Sequence, residues 1–137
     1  MRRLTFLTGT AALLASATLL LAGCGVGSGS PESKISETTD TYLRSLASGD
    51  TTKACAQLTA GAKSKLGASC TAAMNEIAMR VGRDKLGEAA DQGSSISVDG
   101  SSGSATLKGL KSVHIGLVDS GSSWLIESGY TLAGGSR

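Results

Sequence analysis

Three cysteines and a single histidine, His114, are the side chains of this sequence with the most distinctive chemistry. A zinc site would have to combine that one histidine with scattered carboxylates, which is a poor ligand set for zinc. The motifs G-x-S-x-G, H-E-x-x-H and C-x-x-C are absent from the sequence. These motifs mark a nucleophile elbow, a zinc peptidase and a dithiol redox centre. The sequence therefore predicts no metal, no cofactor and no catalytic residue of these kinds.

The N-terminal segment, residues 1–23, has the layout of an export signal. Two arginines follow the first methionine, and an uncharged apolar stretch covers residues 11–22. The four residues that close it are Leu21, Ala22, Gly23 and Cys24. This ending resembles the bacterial lipobox. Small residues before the cysteine let the chain lie extended in a peptidase cleft, and the leucine suits an apolar pocket.

The lipobox resemblance implies that the Cys24 thiol is joined to diacylglycerol and that the signal is cut just before it. Two or more acyl chains, palmitate among them, hold a protein stably on a membrane. The expected location is the extracytoplasmic face of the cell membrane, with the lipid bilayer as the partner of acylated Cys24. The alternative is that residues 4–22 remain as an uncut membrane helix, since nineteen residues can just span a bilayer. The hydroxyl residues and the small-residue ending favour cleavage.

Charge is balanced once the signal is set aside. The whole chain of 137 residues carries 13 basic and 11 acidic side chains, a formal charge of +2. Cleavage before Cys24 leaves 114 residues with 11 of each, because the two lost charges are in the signal. Aromatic residues are only 3% of the chain, so stacking platforms for nucleic acid bases are few. A neutral domain of this kind is not expected to bind nucleic acid.

Cys55 and Cys70 remain for pairing with each other. Fourteen residues separate them, and each falls on the apolar side of a predicted helix. Export places them where a disulfide can persist. We predict a structural disulfide, which is worth about 3 kcal/mol for a loop of this length in the chain-entropy model.

Hydrophobic periodicity divides the mature chain into a tether and one domain. Residues 24–33 carry the lipidated cysteine and a Gly/Ser-rich tether, and residues 34–137 form a single α+β domain with helices first and antiparallel strands after. Ile35, Thr39 and Tyr42 share one face of the first helix. Helices are predicted at 34–48, 51–58, 60–66, 70–81 and 83–90, with Asp50, Thr59 and Ser69 as the caps of the second, third and fourth. The strands of an antiparallel meander are predicted around Ile96 and Val98, around Ala105 and Leu107, over 113–117, and from Trp124 towards Leu132.

A family resemblance appears where the first helix ends. The sequence YLRSLASGD at residues 42–50, followed by Ala54 and Leu58, resembles the opening of nuclear transport factor 2-like domains. The continuation over 54–70 is similar to small exported actinobacterial lipoproteins of that superfamily, and the resemblance covers about residues 34–130. It implies a cone in which N-terminal helices pack into the concave side of a curved antiparallel sheet. Its members include isomerases, dehydratases and binding modules, so the fold does not choose the function.

The resemblance directs attention to three polar residues. Cone-type enzymes that resemble ketosteroid isomerase use a carboxylate and a tyrosine or second acid in an apolar pocket. Tyr42 either points its hydroxyl into such a cavity or lies at the core edge with the hydroxyl at solvent. Asp40 lies about 200° around the helix from Tyr42, so the two are not expected to share a site. His114 faces outward if Val113 and Ile115 face the helices, and becomes a candidate general base if the register is reversed.

The leading interpretation is a non-catalytic lipoprotein domain that binds a small apolar ligand or an envelope protein. One apolar sheet face can enclose a modest cavity, and the candidate pocket residues are Tyr42, Ile115, Leu117 and Trp124. Two alternatives stay open. One is a cone-fold enzyme of isomerase or hydrolase type using Tyr42 and His114, and the other is a purely structural accessory of the cell envelope with a filled core.

Overall fold

The structure, a computed structural model, describes residues 29–133. The lipobox residues Leu21, Ala22 and Gly23, and the predicted lipid attachment site Cys24, lie outside that range. Within it, helices precede strands, which confirms the predicted α+β order. The elements are α1 (Pro31–Ser48), α2 (Thr51–Ala56), α3 (Ala60–Lys65), α4 (Cys70–Val81), α5 (Arg83–Gln92), β1 (Ser94–Asp99), β2 (Ser102–Leu107), β3 (His114–Asp119) and β4 (Trp124–Ser128).

Helix α1 begins three residues earlier than the sequence pattern predicts. Ser30 caps it, since its side chain accepts a hydrogen bond from the Ser33 backbone N–H at 3.2 Å. Pro31 occupies the first turn, where its missing N–H costs nothing, and Glu32 complements the positive end of the helix dipole. The last three residues of the predicted tether are therefore helical. Periodicity missed them because the helix starts on a polar turn with no apolar residue to mark it.

The next three helices begin at the caps that the sequence predicts. Asp50, Thr59 and Ser69 each accept a hydrogen bond from the backbone N–H three residues further on, at 3.0–3.2 Å. Gly49 ends α1 with φ +81°, a left-handed conformation that glycine adopts without a steric cost. The caps and the glycine therefore determine where the helices from α1 to α4 end and begin, which keeps the connections between them short.

The four strands form one antiparallel sheet in the order β1-β2-β3-β4, the predicted meander. Ile96, Ala105 and Ile115 are cross-strand partners on neighbouring strands, so they share one face. The outer edge of β4 is paired with the segment that follows α2. The Ile126 N–H donates to the Gln57 carbonyl at 2.8 Å, and the Thr59 N–H donates to the Ile126 carbonyl at 2.9 Å. No strand of the described chain pairs with the second edge of β1.

One hydrophobic core fills the space between the helices and the inner face of the sheet. Helix α1 crosses the sheet and contacts β1, β2 and β4. The inner face carries alternating buried residues, and the outer face carries mainly serine, threonine and glycine. The largest fully buried side chains are Ile35, Thr39, Tyr42, Leu43, Leu46, Leu58, Met74, Leu86, Ile115, Leu117 and Ile126.

The predicted disulfide is confirmed. Cys55 of α2 is bonded to Cys70, the first residue of α4, with their Cα atoms 6.1 Å apart. Cys55 is 8% exposed and lies in the core, and Cys70 is partly buried against it. The bond therefore fastens α2 to the beginning of α4.

Candidate functional site

The four residues predicted to line a pocket are packing residues of the core. Tyr42 and Ile115 are 0% exposed, Leu117 is 1% and Trp124 is 4% exposed. All four belong to the same buried cluster, so the structure does bring them together. Their side chains occupy the interior between helices and sheet. Trp124 also lines a surface cleft of about 400 Å³ between α1 and the start of β4, whereas the other three line neither that cleft nor the one described below.

The Tyr42 hydroxyl lies inside the protein, where it donates a hydrogen bond to the Tyr130 carbonyl at 2.5 Å and contacts the Met74 sulfur at 3.5 Å. Burial raises the pKa of the Tyr42 phenol above its usual value, and the nearby Tyr130 phenol adds to the rise. The phenol thus stays protonated and remains a donor. Its partner lies 88 positions away in the sequence, and it ties α1 to the chain that follows β4.

His114 lies on the outer face of the sheet, as expected for a strand whose Val113 and Ile115 face the helices. Its neighbours Val113 and Ile115 are buried, whereas His114 is exposed and its Nδ1 is 2.8 Å from the Thr106 hydroxyl. Because Tyr42 is in the core and His114 faces outward, the structure does not bring these two residues together. The catalytic pair of the enzyme alternative is therefore separated by the sheet.

Asp40 faces away from the Tyr42 hydroxyl, as its helical position predicts. It forms an ion pair with Arg44 one turn later, with 2.9 Å between Asp40 Oδ2 and Arg44 Nε. Arg44 also reaches Asp91 at the end of α5, at 3.1 Å. Hydrogen bonds from Arg44 to Asp40 and Asp91 raise the pKa of the guanidinium above its already high ordinary value. This exposed network links α1 to α5 beside the cleft.

A surface cleft of about 400 Å³ lies between α1, the end of α5 and the beginning of β1. That volume falls in the range of small-molecule sites. Its apolar lining consists of Leu43, Ala89, Ala90 and Leu107. The polar lining consists of Ser33, Ser36, Glu37, Thr39, Asp40 and Ser94, with Gly93 at the junction of helix and strand. An apolar lining with a few polar groups around it is the usual composition of a ligand site.

Thr39 contributes a buried hydroxyl to this cleft. The residue is 2% exposed, and its Oγ1 has no hydrogen-bond partner within residues 29–133. Its neighbour Thr38 is 9% exposed, and its hydroxyl donates to the Trp124 carbonyl at 3.0 Å. Leaving a buried hydroxyl unpaired costs about 1–3 kcal/mol, and such groups are rare in native structures. The hydroxyl is covered by the side chains packed around it, so a molecule in the cleft can become its partner only after a small rearrangement of this wall.

The backbone of Ser94 adds hydrogen-bonding groups to the same cleft. The Lys108 N–H donates to the Gly93 carbonyl at 3.1 Å, which fixes the phase of the β1–β2 ladder. In an antiparallel ladder the residue beside a hydrogen-bonded pair directs its N–H and C=O away from the partner strand. The N–H and C=O of Ser94 therefore point to the unpaired edge of β1, beside the cleft.

The cleft is negatively charged. Its lining contains two carboxylates, Glu37 and Asp40, and no lysine, arginine or histidine within the described range. Asp40 is engaged by Arg44, whereas Glu37 forms no ion pair with any residue of 29–133. The same range holds no group of three or more histidine, cysteine, aspartate or glutamate side chains arranged to hold a metal ion. The arrangement is suited to binding by hydrogen bonds and apolar contact.

Sequence reasoning placed Thr39 on the inward face of α1 but did not find the cleft. Three separate segments form it, and their approach depends on how α5 packs against α1. One local signal was present: Ser33, Ser36, Glu37 and Asp40 form a polar stripe on α1 next to its apolar face.

Fold and cleft together define a class: an α+β domain in which helices cover one face of a four-stranded antiparallel sheet, with a ligand-sized cleft between the first helix and the helix–strand junction. In comparisons with known proteins, no family model matches the chain, and no curated protein and no solved structure matches it. Among residues 29–133, no helix is both long enough and apolar enough to span a bilayer.

Proposed function

We propose that this protein is a lipid-anchored extracytoplasmic lipoprotein whose domain binds a small, largely apolar ligand. The observation that carries the proposal is the cleft of about 400 Å³ with its apolar floor and polar rim, with the unpartnered Thr39 hydroxyl buried behind one wall. The LAGC sequence at residues 21–24 supports the lipid anchor. The order of helices and sheet supports a cone of the nuclear transport factor 2-like kind as part of the same proposal.

The cleft combines the two contributions that a weakly polar ligand needs. Leu43 and Leu107 supply apolar contact, and each 100 Å² of apolar surface removed from water is worth about 2.5 kcal/mol. The backbone of Ser94 supplies polar groups that orient the ligand, and the Thr39 hydroxyl adds one where the ligand displaces the side chains that cover it. A ligand that pairs with the Thr39 hydroxyl also removes the cost of its burial, so binding and folding free energy are coupled at this residue.

Ligand occupancy is tested by native mass spectrometry of the protein purified in mild detergent from its own membrane. We expect an extra small-molecule mass on the wild-type protein and its loss from Ala90→Leu, because a leucine there fills the cleft. Ala90 is 7% exposed and lines the cleft, so a larger side chain there takes up space that the ligand would occupy. Ala72→Leu on the exposed side of α4 is the matched control and keeps the ligand.

Repeated recovery of only the acylated polypeptide from the wild-type protein would contradict ligand binding. It would favour the second candidate, a structural accessory of the cell envelope. The filled interior around Tyr42 and Ile115 is the observation that favours this candidate. Thermal melting of Ala90→Leu and Ala72→Leu shows whether both variants remain folded.

The lipid anchor is tested by Cys24→Ala. The variant lacks the thiol that would accept diacylglycerol, so we expect either secretion of the protein or retention of the uncut signal. Membrane fractionation and the mass of the N-terminal peptide distinguish these results. A Cys24→Ala protein that stayed membrane-bound and fully processed would show that the anchor is not at this cysteine. Ser30→Ala, a change six positions further along, is the control and leaves processing unchanged.

A further inference from the structure

We infer that the ligand of the cleft is a small amphipathic cation, an ammonium group on an apolar body. The inference rests on the proposed function and adds the charge of the ligand to it. Its basis is the chemistry of the lining, in which hydrogen-bond acceptors with negative charge stand beside an apolar floor and the lining residues described include no cationic side chain.

The carboxylate available to a cation is that of Glu37. Asp40 already accepts a bifurcated hydrogen bond from the Arg44 Nε–H, with its two oxygens at 2.9 and 3.0 Å from the nitrogen. Glu37 lies one turn before it with no ion-pair partner in the described part of the chain. A ligand cation therefore meets one uncompensated negative charge, whereas a ligand anion would meet repulsion from it.

The remaining polar groups fit an ammonium donor. A primary ammonium carries three N–H donors and accepts nothing. The cleft offers the Glu37 carboxylate and the Ser94 carbonyl at the unpaired edge of β1 as acceptors. The Thr39 hydroxyl lies beneath the cleft surface and adds a third acceptor once the wall rearranges. Leu43, Leu107 and Ala90 then contact the apolar body. A carboxylate or phosphate ligand would find only hydroxyls and one backbone N–H for its charge, with no lysine or arginine among the lining residues described.

The test uses three probes of the same shape: cyclohexylammonium, cyclohexanol and cyclohexanecarboxylate. Each is titrated into the full processed protein in non-ionic detergent, and amide chemical shifts of Ala89, Ala90 and Ser94 report binding in the cleft. We expect cyclohexylammonium to bind up to about fivefold more tightly than cyclohexanol, and the carboxylate most weakly, because a partly exposed charge pair is worth up to about fivefold in affinity.

Glu37→Gln is the deciding variant. It keeps the size of the side chain and is expected to weaken cyclohexylammonium binding by up to about fivefold, to the affinity of cyclohexanol, while cyclohexanol binding is unchanged. Glu76→Gln, at an exposed position of α4 outside the cleft, is the matched control and leaves both affinities unchanged.

The two inferences fail in different ways. Equal binding of the ammonium and the alcohol, both abolished by Ala90→Leu and neither altered by Glu37→Gln, overturns the cationic ligand and leaves the binding cleft standing. Preferred binding of the carboxylate overturns it as well. Absence of shifts at the cleft residues with all three probes overturns the binding cleft together with its charge preference.

Discussion

Replacing both Cys55 and Cys70 by alanine is expected to lower the free energy of unfolding by about 3 kcal/mol. The disulfide closes a loop of fifteen residues, and opening it restores chain entropy to the unfolded state. For a domain of this size the midpoint of thermal unfolding should fall by about 10–20 °C. Urea denaturation of the wild-type and double-alanine proteins, followed by circular dichroism, measures the difference.

A reducing agent supplies the control for this prediction. It should bring the wild-type protein to the stability of the double-alanine variant and should leave the variant itself unchanged. The single variant Cys55→Ala also lacks the bond but keeps the Cys70 thiol. Comparing it with the double variant separates the effect of losing the bond from the effect of replacing the second cysteine. If the double variant unfolded within 2 °C of the wild type, the bond would contribute little to the folded domain, contrary to the chain-entropy estimate.

A ligand titration of the same double-alanine variant separates the effect of the disulfide on stability from any effect on ligand binding. The disulfide joins α2 to α4, whereas the cleft is formed by α1, α5 and the beginning of β1. The bonded cysteines share no lining residue with the cleft. The folded double-alanine protein should therefore bind cyclohexylammonium with the affinity of the wild type at temperatures well below its unfolding midpoint.

Local signals predicted most of the fold. The caps Asp50, Thr59 and Ser69 act within three residues, so their hydrogen bonds can be inferred from the sequence alone. Alternation of apolar and polar residues fixes which face of a strand is inward, and it placed His114 outside correctly. The start of α1 was missed because proline and polar residues form its first turn.

Long-range packing decided what the sequence could not provide. The partner of the Tyr42 hydroxyl is a backbone carbonyl 88 positions away, and no periodicity identifies such a pair. The cleft has the same origin, since α1 and the α5–β1 junction are about fifty positions apart in sequence. Thr39 illustrates the division: its inward direction follows from helical spacing, but whether its hydroxyl finds a partner depends on the residues packed around it.

The adjacent threonines of α1 should respond to the same substitution with opposite signs. Thr39→Val removes a buried hydroxyl that has no partner in the described structure, so we expect the free energy of unfolding to rise by about 1–2 kcal/mol. Thr38→Val removes a hydroxyl that donates to the Trp124 carbonyl, so we expect a fall of about 1 kcal/mol. Threonine and valine have similar helix propensities, and both positions are buried, so each variant is a control for the other.

Urea denaturation of the two variants and the wild type measures this contrast in the absence of ligand. A loss of stability in Thr39→Val comparable to that in Thr38→Val would mean that the Thr39 hydroxyl has a partner in solution. It would remove the main support for a ligand at this wall. A gain in Thr39→Val with a loss in Thr38→Val is the expected pair of results.

Addition of cyclohexylammonium gives the second half of the prediction. A ligand that binds the folded state stabilises it by an amount set by its concentration relative to Kd. The wild-type protein should gain stability from the probe, because its Thr39 hydroxyl acquires a partner, whereas Thr39→Val should gain less. The stability advantage of Thr39→Val should thus shrink as probe concentration rises. A stability advantage that stayed constant at all probe concentrations would show that the hydroxyl does not contact the ligand. A stability advantage that shrinks with probe concentration would mean that Thr39 serves binding at a cost in stability.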